Sequence, residues 1–131
     1  MGINVLAVLA AALSAFMLGG LWYSPILFGR AWQAETGMTD ERVANGNKAL
    51  VFGGSFVMAL IASFVFAMFL GPAPALGLAV GAGFAAGLGW VATSYGITYL
   101  FEHRSLKLFL INGGYHTVQF TLIGLILGLW H

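Results

Sequence analysis

Four stretches without a single Asp, Glu, Lys or Arg dominate this chain: Ile3 to Ser24, Ala49 to Leu70, Ala75 to Phe101 and Leu108 to Trp130. Each is long enough to cross a hydrocarbon core of about 30 Å as a helix, which takes roughly 20 residues. Inside lipid every backbone polar group must be satisfied within its own segment or a closed barrel, so long apolar runs of this kind are helices. Composition points the same way. Sixty per cent of the residues are hydrophobic and 7% are charged, against roughly 25% charged in an ordinary soluble domain. The expectation is an all-α integral membrane protein: one domain, residues 1–131, folded as a four-transmembrane-helix bundle.

The first stretch carries small residues, Ala10 to Ala12 and Ser14-Ala15, that resemble a signal-peptide cleavage site. No Lys or Arg precedes it, the apolar run is long, and it ends in the interface pair Trp22-Tyr23, so it is expected to stay attached. All five basic residues fall in two loops, Arg30, Arg42 and Lys48 in the first and Arg104 and Lys107 in the third. The acidic Glu35, Asp40, Glu41 and Glu102 share those loops. Basic loops stay in the cytoplasm, which places both termini and the Gly71-Pro72-Ala73-Pro74 turn outside.

The first loop is the only sizeable polar segment and divides at Gly37. Ile26, Leu27, Phe28 and Trp32 around Arg30 predict a short interfacial helix with its apolar side in the headgroups. Thr39 reads as an N-cap with Asp40 and Glu41 in the first turn, and Asn45-Gly46-Asn47 as an interruption before the second span.

Helix four is the most informative element. Asn112, Tyr115, His116 and Gln119 are three and four residues apart and share one face; Gly113, Thr117, Thr121, Gly124 and Gly128 lie opposite. The small face suits close helix approach, within the chain or between copies. His116 is the one strongly titratable side chain deep in a span, and an ionisable group there is a functional hypothesis by default. On helix three, Gly83, Gly87, Trp90, Ser94 and Thr98 predict a matching stripe. Trp90 then meets Gln119 near the membrane centre, with Ser94 and Thr98 at the depths of His116 and Asn112. These residues make either structural glue between helices or a polar pocket.

Other chemistries find little support. There is no embedded carboxylate pair, no cysteine, and no Ser, His and Asp set at one depth, so catalytic residues are not assigned. His103, His116 and His131 lie at three depths, which argues against a metal site, and no cofactor is expected. A net charge of +1 without clustered Lys and Arg excludes nucleic acid as a partner.

The corner Trp22-Tyr23-Ser24-Pro25 followed by Phe28-Gly29-Arg30-Ala31-Trp32, together with Asn112-Gly113-Gly114-Tyr115-His116, Gly124 and Trp130, resembles the bacterial family of domain of unknown function 1761 over nearly the whole chain. The resemblance implies a compact multi-pass protein of the bacterial inner membrane and brings no reaction. It also implies that Trp22, Tyr23, Ser24 and Pro25 belong to one unit with Tyr115 and His116. A cytoplasm-facing pocket between helices one, three and four follows, with Asn112, Tyr115, His116, Gln119, Ser94, Thr98, Trp90, Trp22 and Tyr23 as candidate ligand-binding residues. Its occupant is a small molecule or an ion, bound or transported. The alternative is an accessory or scaffold protein whose polar seam is structural. Besides the lipid bilayer, the partner expected is a second copy of the chain, through small faces such as Gly77-xxx-Gly81 and Gly83-xxx-Gly87.

Overall fold

The computed structural model describes residues 2–131, and every regular element among them is helical. α1 covers Val5–Trp22, α2 Gly29–Thr36, α3 Asp40–Ala44 and α4 Lys48–Leu70. α5, Leu76–Ala86, runs through a π-helical stretch, Gly87–Ala92, into α6, Thr93–Phe101, and α7 covers Leu106–Leu129. Four helices are long and apolar enough to cross a membrane: α1, α4, the continuous rod Leu76–Phe101, and α7.

Short polar side chains start these helices by accepting backbone N–H groups that have no intrahelical partner. Asn4 accepts from Ala7 at 3.1 Å, Asn47 from Leu50 at 3.1 Å and Ser105 from Leu108 at 3.0 Å. Thr39 caps as expected, accepting from Arg42 at 3.1 Å. It opens a separate five-residue helix, because Asn45-Gly46-Asn47 breaks the chain and Asn47 caps α4 anew. α2 ends where expected, at Gly37, whose φ of 75° lies in the left-handed region that glycine adopts freely.

α7 is the central rod. It packs along α5 and the π stretch on one side and α1 on the other, and α1 packs in turn on α4. α4 and α5 make no comparable contact, so the expected four-helix bundle is open along that seam. The α1 face is built of alanine: Ala7, Ala11, Ala12 and Ala15 are fully buried. The α5–α7 contact is closer still, since Gly83 and Gly87 lie on the backbone of Phe120 to Thr121 and of His116 to Thr117, while Gly124 lies on the backbone of Ala79. The small face of α7 is therefore spent on α5 within the chain, whereas Gly77 and Gly81 face open space.

α4 docks through its second half only. Ala59, Ser63, Phe66 and Ala67 are buried, but among residues 48–58 only Gly54 and Phe56 are even partly covered. Phe56 meets the Phe16 ring edge-on at 6.0 Å, and Phe66 meets Phe120 at 6.0 Å. Ser63 Oγ is the one sealed side-chain polar atom without a hydrogen-bond partner among the described residues. A buried unsatisfied hydroxyl costs about 1 kcal/mol or more. Ser63→Ala is thus expected to raise stability by about 1 kcal/mol, read as a higher thermal unfolding midpoint in detergent.

Candidate ligand-binding site

The corner after α1 sets the site. Trp22 and Tyr23 end the helix, and the chain then folds tightly back: the Phe28 N–H donates to the Trp22 carbonyl and the Gly29 N–H to the Ser24 carbonyl, both at 2.9 Å. A Cβ on Gly29 would lie 2.3 Å from the Tyr23 carbonyl oxygen, so only glycine fits there. This corner aims both aromatic side chains at α7. The Trp22 indole N–H donates to the Ile111 carbonyl at 2.9 Å, and the Tyr23 hydroxyl donates to Asn112 Oδ1 at 2.6 Å. Trp32 of α2 meets Tyr23 edge-on at 5.9 Å, and the Glu35 carboxylate accepts a hydrogen bond from Ser105, which ties α2 to the start of α7.

Asn112 uses its other end as well, donating from Nδ2 to the Tyr99 hydroxyl at 2.6 Å. One asparagine thereby joins α1, α6 and α7. The Tyr115 hydroxyl donates to the Ala15 carbonyl at 3.1 Å, fixing α7 to α1 one turn deeper. His116 stacks on Tyr95, with ring centroids 5.1 Å apart and planes at 16°, and its Nδ1 lies 2.6 Å from Gln119 Oε1. A carbonyl oxygen only accepts, so in this arrangement Nδ1 carries the proton and Nε2 is an acceptor. Nε2 has no partner among the described residues, nor does the Tyr95 hydroxyl, and neither is sealed from the outside. All four tyrosines of the chain meet here.

Of the residues expected from sequence, the structure brings together Trp22, Tyr23, Asn112, Tyr115, His116 and Gln119. It does not bring Trp90, Ser94 and Thr98 to them. Trp90 is 69% exposed on the outer surface, and Ser94 and Thr98 are exposed too. Gln119, which was expected to pair with Trp90, is buried against His116 instead. The cause is the π stretch. A π turn takes in one extra residue, so every position beyond Gly87–Ala92 is displaced by one. Tyr95 and Tyr99 stand where Ser94 and Thr98 were expected. The Ser94 and Thr93 hydroxyls cap the widened turn, donating to the carbonyls of Trp90 and Gly89. Sequence reasoning missed both tyrosines; their spacing of four, level with His116 and Asn112, was the available signal.

The stripe of α7 that carries Asn112 and His116 continues through Phe120, Ile123 and Leu127. Ile123 is fully buried and Leu127 nearly so, in one cluster with Phe66 and Ala67 of α4. At the level of His116 the facing half of α4 is exposed, and His116, Asn112, Tyr95 and Tyr99 are only partly covered. The result is a partly open groove at the charged-loop end, with α7 as its floor, Tyr23 of α1 on one side, Tyr95 and Tyr99 of α6 on the other, and the exposed first half of α4 leaving it uncovered. Among the described residues no three His, Cys, Asp or Glu side chains group as metal ligands.

Comparison with known proteins found no match among the curated proteins and none among the solved structures. The family model described as "Protein of unknown function (DUF1761)" matches residues 6–128. With nearly its whole length matched, the chain belongs to that family.

Proposed function

We propose that this protein spans a membrane four times and binds a small molecule in the cleft floored by Asn112 and His116. Every Lys and Arg lies at the cleft end, so the positive-inside rule supports a cytoplasmic opening with both termini outside. Ile26, 81% exposed, and the exposed Leu27 and Phe28 beside Arg30 support an α2 region lying in the headgroup layer.

The observation that carries the reading is the change of cover along one stripe of α7. In the outer half α4 seals an apolar stripe; in the cytoplasmic half the stripe turns polar and α4 leaves it uncovered. A polar group left at depth without a partner is costly, and such groups line substrate paths. Phe120, Ile123 and Leu127 close the stripe beyond Gln119, which favours binding from one side over conduction through the protein.

Glue and site fall on different residues. Asn112 and Trp22 have their hydrogen bonds made within the chain, whereas His116 offers a free acceptor. Two interhelical hydrogen bonds in lipid are worth about 1 to 3 kcal/mol together. In lipid nanodiscs Asn112→Leu is therefore expected to lose that much stability by untying three helices, while His116→Leu, which breaks only a bond within α7 to Gln119, is expected to stay folded with a loss of about 1 kcal/mol. Unfolding of His116→Leu would instead support the purely structural, scaffold reading.

A further inference from the structure

We propose that the cleft takes a flat, lipid-soluble ring compound bearing a hydroxyl group, of the hydroquinone class, and admits it sideways from the bilayer between α4 and α6. The inference rests on the binding reading above and adds the ligand's chemistry and its route.

The walls select for a ring. Tyr95 and His116 already stack nearly parallel, Tyr115 meets His116 at 4.8 Å and 63°, and Tyr99 meets Tyr95 at 5.5 Å and 55°. Aromatic faces of this kind gain most from another flat π system set in offset or edge-on contact. Apart from Lys48 and Lys107 at the loop ends of α4 and α7, the four long helices hold no Asp, Glu, Lys or Arg, so a charged ligand at the depth of His116 would lack a counter-ion in a medium where that is costly. The occupant is therefore neutral.

The polar atoms specify its rim. His116 Nε2 accepts, which calls for a donor on the ligand. The Tyr95 hydroxyl is unpartnered, and the Tyr99 hydroxyl accepts from Asn112 while its own proton has no acceptor among the described residues. Those two supply donors for an oxygen on the ligand. A hydroquinone offers both functions on one ring: an O–H toward Nε2 and oxygen lone pairs toward the tyrosines. The corresponding quinone has acceptors only and leaves Nε2 unmatched.

The route follows from the open seam. α4 and the third span do not pack together, and the first half of α4 is exposed, with only Gly54 and Phe56 partly covered among residues 48–58. A molecule dissolved in lipid reaches His116 without crossing a sealed layer.

The test uses the full chain in phosphatidylcholine nanodiscs, titrated calorimetrically with duroquinol held reduced, with its dimethyl ether, and with duroquinone. Duroquinol is expected to bind about tenfold tighter than the ether or the quinone, the effect of one hydrogen bond to a group otherwise left unmatched. His116→Phe and Tyr95→Phe keep the rings and remove one polar atom each; each is expected to weaken duroquinol about five- to tenfold. Equal binding of duroquinol and its ether by the wild type, or duroquinol affinity unmoved in both variants, overturns the proposal. The two readings fail separately. If duroquinol does not bind while His116→Leu stays folded, the ligand class alone is wrong; if His116→Leu unfolds, the binding reading falls with it.

Discussion

Gly124→Ala is expected to lower the stability of this protein by about 3 kcal/mol, at the upper end of what one extra carbon costs in a packed interior. The carbon added at Gly124 would lie 2.2 Å from the Ala79 carbonyl oxygen, and one added at Gly83 would lie 2.2 Å from that of Phe120. Both obstacles are backbone, so no side-chain rotation relieves them and the two helices must move apart. Separation would loosen the whole α5–α7 contact, because glycines from both helices interleave along it. In a membrane the attraction between helices is mostly close packing rather than the hydrophobic effect, which makes such a loss hard to recover. Gly77→Ala and Gly81→Ala, where an added carbon meets nothing within 4 Å, are the controls. They are expected to match the wild type or to gain up to about 1 kcal/mol, since alanine at an open helical position favours the helix. Urea unfolding in mixed micelles, followed by circular dichroism, compares all three. A Gly124→Ala protein as stable as the controls would mean that α5 and α7 are not in backbone contact.

Those same glycines show how far the sequence can be read. Charge-free length located all four long apolar helices to within two residues at every end, because a helix able to cross a bilayer has a minimum length. Thr39, Gly37 and the Asn45-Gly46-Asn47 break were legible because capping and left-handed turns depend on one or two local residues. The polar face of α7 was legible too, since three- and four-residue spacing puts Asn112, Tyr115, His116 and Gln119 together in any regular helix. What periodicity could not supply was the neighbour of each face. Gly77-xxx-Gly81 and Gly83-xxx-Gly87 look alike in sequence, yet one faces open space and the other α7. The polar face was expected to meet helix three through Trp90, Ser94 and Thr98. It meets that helix through Tyr95 and Tyr99 instead, with Trp22 and Tyr23 of α1 on its other side, and the small face packs on α5. Trp22 and Tyr23 were tied to Tyr115 and His116 only by the family resemblance, and the structure brings Tyr23 and Tyr115 to 5.4 Å.

Deletion of Gly89 is expected to leave the fold intact and to raise stability by about 0.5 to 1 kcal/mol, a reversal of what losing a residue from the middle of a spanning helix normally does. In a regular helix, removing one residue turns everything beyond it by about 100° and draws it in by about 1.5 Å. Gly89 lies inside the π stretch, where the chain already holds one residue more than an α-helical path needs. Removing it returns the turn to α geometry, leaves Tyr95 and Tyr99 on the side of α7, and takes away a glycine whose freedom opposes helix formation. No packed contact is lost, since nothing lies within 4 Å of a carbon placed there. Deletion of Val118 in α7 is the contrast. It is as exposed as many lipid-facing residues, at 40%, but no widened turn is available to absorb its loss. The rotation would carry Asn112 and His116 away from Tyr23 and Tyr95, or else Ile123 and Leu127 away from α1 and α4, at a cost of about 4 kcal/mol or more. The two deletions, measured by thermal unfolding in one nanodisc preparation, separate the interpretations. Collapse of both would mean that residues 87–92 are not an inserted turn. A stabilised Gly89 deletion that loses duroquinol affinity would show the widened turn retained at a cost, to hold Tyr95 at the height where its ring covers His116.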